Sequence, residues 1–166
     1  MRRFFRNRTV PSLVIIFTAI FFSAPFALPG QSEIQTAIIL GTVWFWCLYA
    51  PLSLPLLFLF FSGLIAELFR SGPPGILLLW MLATYGVAHG WRFKLAQGRF
   101  LASWGAFSLT MIGGVILEWM LMSLRAGTLL SPLVALFQFA LTVGIYPCLY
   151  VIFIWERRIF NSDKDL

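Results

Sequence analysis

Charged residues are scarce in this sequence. Only 11% of its 166 residues are charged, whereas 60% are hydrophobic and 17% are aromatic. A soluble domain has about 25% charged residues, so this composition excludes water as the solvent of most of the chain. A bilayer core requires about 20 apolar residues for each helical crossing, and six crossings would use about 120 residues. The remainder is too short for a soluble domain, so we predict a single integral membrane domain over residues 1–166.

Residues that bind metals or act as nucleophiles are scarce as well. The sequence has one histidine, His89, and two cysteines, Cys47 and Cys148, which lie inside apolar runs and form no C-x-x-C motif. Isolated ligands of this kind do not build a metal site, and nothing in their spacing favours a disulfide. Glycine-rich phosphate loops, nucleophile elbows and basic surfaces with interleaved aromatic residues are missing. We therefore predict no cofactor, no metal, no nucleic-acid partner and no enzymatic activity.

Six apolar segments are present, separated by proline, glycine or charged residues. The region 34–69 would be about 54 Å long as one helix, which is much longer than a bilayer is thick. Pro51 and Pro55 predict a break within it, because proline removes a backbone donor and disfavours helix in the residue before it. These features predict an all-α polytopic membrane protein, a compact six-transmembrane-helix bundle. The predicted spans are 10–28, 34–50, 52–69, 76–91, 100–122 and 129–155.

Lysine and arginine are distributed unevenly between the two sides of these segments. With the amino terminus inside, ten of the twelve lie on the inner side, and Arg70 and Arg125 lie on the outer side. The positive-inside rule then predicts that both termini are cytoplasmic. The first segment also resembles a signal peptide, although Pro25 gives a poor cleavage context. The residues that indicate the orientation are Arg2, Arg3, Arg6, Arg8, Arg92, Lys94, Arg99, Arg157 and Arg158.

Two carboxylates, those of Glu67 and Glu118, lie within apolar segments near their outer ends. A carboxylate is costly at this depth and tends to face protein or water instead of lipid. Arg70 and Arg125 lie at the same level, so cross-helix ion pairs are one interpretation. The other is that the two acids hold a ligand or the transmembrane helix of a partner. Glu33, in contrast, is expected in a wet loop.

The last apolar segment contains two further features of interest. Gln138 is a polar group that should find a partner inside the protein. Pro147 predicts a kink, because it leaves a backbone carbonyl without its helical donor. We expect Tyr146, or serine and threonine groups elsewhere, to bond that carbonyl.

A short motif connects the third and fourth segments. The third segment ends with Glu67, and the turn Gly72-Pro73-Pro74-Gly75 follows shortly after it. The stretch from Gly63 to Gly75 resembles the signature of the rod shape-determining MreD family, which usually has aspartate at the position of Glu67 and a neutral residue at that of Arg70. The length and predicted topology agree with that family. The end of the chain, with Tyr146-Pro147 and Glu156-Arg157-Arg158, resembles its carboxyl end.

This resemblance implies a non-enzymatic component of the bacterial inner membrane that belongs to the cell-elongation machinery. Such a protein would bind membrane lipid and, directly, the bitopic protein MreC. Through MreC it would be linked to the MreB filament, the RodA glycosyltransferase and a class B penicillin-binding protein. It would help maintain rod shape through control of peptidoglycan synthesis. As polar sites for partner binding or structure we single out Glu67, Arg70, Gly72, Pro73, Gly75, Glu118, Arg125, Gln138 and Pro147.

The fold of that family is similar to the substrate-binding subunits of energy-coupling-factor vitamin transporters, and this similarity supplies an alternative function. A transporter subunit would bind a vitamin near the outer face, with Glu67, Glu118, Arg70 or Arg125 as polar contacts, and would couple to an ATPase module. The sequence has no sizeable outer loop that could cover such a ligand. This observation favours the interaction protein over the transporter subunit.

Overall fold

The computed structural model describes residues 13–18, 20–21, 30–51, 54–69, 74–95 and 100–162, with side chains as far as residue 155. This part of the chain is helical and contains no strand, which confirms the all-α class. Helix α1 comprises residues 13–18 and 20–21. The helices that follow are α2 (Gln31–Tyr49), α3 (Leu56–Leu68), α4 (Ile76–Leu95), α5 (Phe100–Ala126) and α6 (Pro132–Ser162).

Proline and glycine mark the ends of several helices. Helix α2 ends two residues before Pro51, and Pro55 is the N-cap of α3, so the chain leaves the helical conformation between the two prolines that predicted the break. Gly127 follows α5 with a φ of 65°, a left-handed conformation that glycine adopts without steric cost. Its N–H donates to the carbonyl of Leu124 at 3.3 Å, which closes the last turn of α5.

Several helix ends differ from the predicted spans. Helix α2 begins at Gln31, so Glu33 lies in its first turn and not in the expected loop. There Glu33 accepts a hydrogen bond from Ser32 Oγ at 2.8 Å. Helix α6 extends to Ser162, seven residues beyond the predicted end of the last span. Of the first predicted span, residues 10–12, 19 and 22–28 lie outside the described residues.

Helix α2 occupies the centre of the described bundle. Thirteen of its nineteen residues are buried, on all sides of the helix, whereas α3 to α6 each bury one face. A helix that is apolar and buried all round belongs in the core of a bundle. It packs mainly on α4 and α6, and α6 also packs on α5. The aromatic rings of Trp44, Phe45, Phe107 and Tyr146 fill the space between α2, α5 and α6.

The contacts between helices show the directions in which they run. Helices α2 and α6 are parallel, because their contacts advance together: Gly30 with Phe137, Gly41 with Leu149 and Phe45 with Phe153. Helices α5 and α6 are antiparallel, because residues later in α5 contact residues earlier in α6. The contacts are Trp104 with Val143, Glu118 with Gln138, and Trp119 with Leu130, which lies two residues before α6. Helices that cross a bilayer in succession alternate in this way.

Two of the described helices are long and apolar enough to cross a membrane, by length and composition. They are Phe100–Ala126, which is α5, and Pro132–Trp155, which is most of α6. Helix α3 is apolar but has only 13 residues. Most side chains of α5 and α6 remain uncovered by the rest of the described chain, and many of these are large and apolar. Such surfaces are costly in water and suit contact with lipid or with another apolar helix.

Candidate functional site

The carboxylate of Glu67, near the end of α3, binds the beginning of α4. The backbone N–H of Gly75 donates to Oε1 at 2.8 Å, and that of Leu78 donates to Oε2 at 2.9 Å. The first N–H groups of a helix have no partner within the helix, and its positive dipole end favours an anion. Glu67 therefore acts as an N-terminal cap for α4 from the preceding helix. The acid and the last glycine of the predicted motif are in direct contact.

The same motif also sets the distance between α3 and α4. A Cβ atom at Gly63 would lie 2.8 Å from Leu78 Cδ1 and 3.2 Å from Met81 Sδ. A larger residue there would force the Leu78 and Met81 side chains to shift. Gly63, Gly75 and Glu67 thus build one tight α3–α4 hairpin. The other predicted residues of the turn, Arg70, Gly72 and Pro73, lie outside the described residues.

Glu118 joins α5 to α6. Its Oε2 accepts a hydrogen bond from Nε2 of Gln138 at 3.0 Å, and both side chains are only 7% exposed. The carbonyl of Gln138 accepts a bond from Thr142 Oγ1 at 2.7 Å. The prediction that Gln138 finds a partner inside the protein is confirmed. Arg125, two turns further along α5, is exposed, and Arg70 lies outside the described residues.

A tryptophan donates a hydrogen bond to the backbone carbonyl that Pro147 leaves without its helical donor. Pro147 lies inside α6, which is helical on both sides of it. The residue four positions earlier, Val143, therefore has a carbonyl without its helical donor. Trp104 Nε1 on α5 donates to this oxygen at 3.2 Å. The expectation that Tyr146 or a hydroxyl group fills this role was wrong; sequence spacing identified the acceptor, but not its donor on another helix.

A second buried contact, which the sequence did not indicate, lies at the centre of the bundle. Trp44 Nε1 on α2 donates to Ser103 Oγ on α5 at 3.3 Å, and Ser103 Oγ lies 3.2 Å from the hydroxyl of Tyr146 on α6. The Tyr146 ring also stacks on Phe107, with ring centres 4.4 Å apart. Three helices thus share one small polar cluster inside an aromatic core. It fixes how α2, α5 and α6 are rotated relative to one another.

The remaining singled-out residues lie apart from these contacts. His89 is exposed on α4 and its ring stacks on Tyr85, with centres 5.7 Å apart. Arg92 and Lys94 are in the last turn of α4, where a positive charge complements the helix dipole. Arg157 and Arg158 belong to the end of α6, beyond the described side chains. Outside the described residues lie Arg2, Arg3, Arg6, Arg8 and Arg99.

The singled-out polar residues that the structure describes do not form one convergent chemical site. Glu67 holds the α3–α4 hairpin and Glu118 holds the α5–α6 pair, so the two acids serve different helix pairs. Among the described residues, no group of three or more histidine, cysteine, aspartate or glutamate side chains lies close enough to bind a metal.

A shallow groove of about 410 Å³ lies at the end of α5 that is connected to α6. The groove is lined by Trp119, Met120, Ser123, Leu124, Gly127, Thr128 and Leu129. Two hydrogen bonds shape it: Trp119 Nε1 donates to the carbonyl of Leu130 at 3.0 Å, and the N–H of Leu130 donates to Ser123 Oγ at 3.3 Å. Neither Glu67, Glu118 nor Arg125 contributes to its wall.

Comparison with known proteins adds no relative. No family model matches the chain, no curated protein matches it, and no solved structure matches it.

Proposed function

We propose that this chain is a non-enzymatic scaffold of the bacterial inner membrane, that it binds MreC, and that it helps maintain rod shape through control of peptidoglycan synthesis. In this proposal the chain crosses the membrane six times and both termini are cytoplasmic. MreB, RodA and a class B penicillin-binding protein belong to the same assembly. The proposal rests on the sequence motif, on the contacts within that motif and on the surfaces of the helices.

The observation that carries the proposal is the contact between Glu67 and Gly75. These two residues stand at the defining positions of the motif that resembles the MreD family. Their hydrogen bond of 2.8 Å gives the motif a physical purpose, because it holds α3 and α4 together as a hairpin. A carboxylate within an apolar segment is costly unless protein or water satisfies it, and here two backbone N–H groups of α4 do so. In this proposal the partner contacts the α3–α4 hairpin.

The exposed surfaces of the helices support a partner inside the membrane. Apolar side chains on α3, α5 and α6 remain uncovered by the described chain, among them Phe61 on α3, Leu109 on α5 and Val151 on α6. Lipid solvates such surfaces, and the single transmembrane helix of a bitopic protein packs on them by van der Waals contact. The connections between the described helices are short, so helix faces and turns are what this chain presents to other proteins.

The groove near Trp119 is the observation that favours the alternative, a vitamin-binding transporter subunit. Its volume of about 410 Å³ lies within the range of about 300–1,000 Å³ that is typical of small-ligand sites. However, it is open and mostly apolar, and among the described residues Glu67, Glu118 and Arg125, which would orient a vitamin, do not line it. We therefore rank the transporter subunit second.

Copurification tests the proposal. The tagged chain is extracted in mild detergent from its own cells, and the proteins and small molecules recovered with it are identified by mass spectrometry. MreC should be recovered at a constant ratio to the chain, and the recovery should fall with Glu67→Ala but not with Glu33→Gln, which alters an acid in the first turn of α2. Recovery of an ATPase module or a vitamin, without MreC, would reverse the ranking.

Depletion provides a test in living cells. If the chain is a scaffold of cell elongation, rod-shaped cells should become round as it is depleted, while uptake of nutrients continues. Rod shape that persists while uptake of a vitamin fails would contradict the proposal and support the transporter subunit.

A further inference from the structure

The last turn of α4 presents two basic residues and an aromatic ring on its surface. Arg92 and Lys94 are the basic residues of this turn, and Phe93, between them, is 71% exposed. The guanidinium carbon of Arg92 lies 4.6 Å from the centre of the Phe93 ring, within the range of a cation–π contact. We call Arg92, Phe93 and Lys94 the α4 end patch. It combines positive charge with an apolar surface that the described chain leaves largely uncovered.

Helix α4 runs in the same direction as α2 and in the opposite direction to α5. Trp80 packs on Gly114 in the second half of α5. Further along α4, Tyr85 contacts Cys47, near the end of α2, where that helix meets Ser103 at the beginning of α5. The α4 end patch therefore lies at the end of the bundle where α2 ends and α5 begins.

The acidic side chains that the structure describes lie at the opposite end of the bundle. Glu33 is in the first turn of α2, Glu67 binds the beginning of α4, and Glu118 is in the last third of α5. At 1.5 Å per residue, Arg92 lies about 21 Å beyond Leu78, the second residue that Glu67 binds. No described acid therefore neutralises the charges of the α4 end patch.

A strip of helix surface without side chains leads to the patch. Gly86, Gly90 and Lys94 are spaced by four residues, and Phe93 is three residues after Gly90, so these residues share one face of α4. Both glycines are exposed, and a Cβ at either would have nothing within 4 Å among the described atoms. The guanidinium of Arg92 reaches the same face, because it lies over the Phe93 ring. The Gly86–Gly90 strip thus ends at two positive charges.

These features fit one class of ligand, a phospholipid with a net negative charge. Arginine and lysine bind phosphate oxygens through charge-assisted hydrogen bonds. Trp91, which precedes the patch and is 50% exposed, favours the headgroup level of a membrane. A hydrocarbon chain on the Gly86–Gly90 strip gains van der Waals contacts close to the backbone. A soluble anion would use the two charges and leave the strip uncovered.

We propose that the α4 end patch and the Gly86–Gly90 strip together bind one anionic phospholipid. The phosphate accepts hydrogen bonds from Arg92 and Lys94, and one acyl chain lies along the two glycines. Anionic lipid is preferred because the cation of a zwitterionic headgroup is repelled by the two charges. The inference requires the membrane placement of the proposed function but not the binding of MreC, so the two can fail separately.

Native mass spectrometry of the intact chain, released from detergent micelles, tests the site. The chain is titrated with phosphatidylglycerol, which is anionic, or with phosphatidylethanolamine, which is zwitterionic, both with the same acyl chains. The fraction of chain that carries lipid gives the affinity for each. One phosphatidylglycerol should bind more tightly than phosphatidylethanolamine. Equal affinities for the two lipids would overturn the proposal.

Charge variants test the part of the patch that binds the phosphate. Arg92→Gln and Lys94→Gln should each lower the affinity for phosphatidylglycerol by about fivefold, which corresponds to about 1 kcal/mol for each basic residue near anionic lipid. Arg125→Gln is the matched control, since Arg125 is an exposed arginine in the last turn of α5. An equal loss of affinity in Arg125→Gln would show that net charge alone attracts the lipid, and would refute the site.

A variant that fills the strip tests the place of the acyl chain. Gly90→Leu retains both charges but covers the strip, so it should weaken the binding of phosphatidylglycerol severalfold. Gly113→Leu, at an exposed glycine of α5, should leave the binding unchanged. Both variants should fold, because a Cβ at either position meets no described atom within 4 Å. Full affinity in Gly90→Leu would contradict the proposal, because an anion that uses only the two charges would explain it.

Discussion

The indole Nε1 of Trp104 donates a hydrogen bond of 3.2 Å to the carbonyl of Val143, the acceptor that Pro147 leaves without its helical donor. In a membrane, a carbonyl without a donor is not compensated by water, so a proline within a spanning helix depends on such a partner. The contact also sets the position of α5 along α6. Trp104 therefore has a structural role in the contact between α5 and α6.

The first prediction concerns the dependence of Trp104 on Pro147. Trp104→Phe should destabilise the chain by about 1 kcal/mol through loss of this bond. In Pro147→Ala the backbone N–H of residue 147 can donate to the carbonyl of Val143. Trp104→Phe should therefore lower the free energy of unfolding by clearly less in that background. Thermal unfolding in detergent measures all four combinations. Trp91→Phe is the control, since Trp91 is exposed. If the effects of Trp104→Phe and Pro147→Ala on the free energy of unfolding simply add, Trp104 does not bond the carbonyl that Pro147 frees.

The second prediction separates two adjacent glycines on α5. A Cβ at Gly114 would overlap the Trp80 indole, whereas a Cβ at Gly113 would have nothing within 4 Å among the described atoms. Gly114→Ala should therefore destabilise the chain by about 1–3 kcal/mol through overpacking. Gly113→Ala should be neutral, or stabilising by up to about 1 kcal/mol, because alanine favours helix.

Removal of the large ring provides the check on this mechanism. In a Trp80→Leu background, Gly114→Ala should destabilise the chain much less, because the added methyl group no longer meets the indole. Melting temperatures of the single and double variants give the comparison. If Gly114→Ala costs the same in both backgrounds, the contact with Trp80 is not the cause.

The third prediction concerns the cap of α4. Glu67→Ala removes both carboxylate oxygens that accept from α4. It should lower the free energy of unfolding by about 1 kcal/mol, which is within the range measured for lost helix caps. Glu67→Gln retains one acceptor oxygen, so its effect should be intermediate. Glu33→Gln, which leaves the α3–α4 hairpin unchanged, should have a smaller effect than Glu67→Ala. Hydrogen exchange at the amides of Gly75 and Leu78 measures directly whether Glu67 protects them. Unchanged protection of these amides in Glu67→Ala would contradict the cap.

The sequence predicted the helices well because their limits depend on local signals. Helix α2 ends two residues before Pro51 and α3 begins directly after Pro55, as the missing backbone donor of proline favours. Other limits differ by a few residues even beside such a signal: α2 begins directly after Gly30 and α5 ends directly before Gly127, outside the predicted spans 34–50 and 100–122. Helix α6 continues through Trp155 to Ser162, since the charged residues that follow the apolar run are themselves compatible with helix.

The pairing of polar side chains could not be predicted in the same way. Helices that are apolar on nearly all sides have no marked polar face, so their sequence does not show how they are rotated in the bundle. Which of Gly113 and Gly114 faces Trp80 depends on that rotation, and so does the contact between Glu118 and Gln138. The bonds of Glu67 to the beginning of α4 were not predicted either, although only eight residues separate Glu67 from Gly75.

The central claim is that the chain crosses the membrane six times with its end in the cytoplasm, and cysteine labelling measures this most directly. Single cysteines are placed at Thr128, in the exposed turn between α5 and α6, and at Asp165, after replacement of Cys47 and Cys148 by alanine. In intact spheroplasts, an impermeant maleimide should label position 128, and it should label position 165 only after lysis. Labelling of position 165 before lysis, with position 128 protected, would contradict the account.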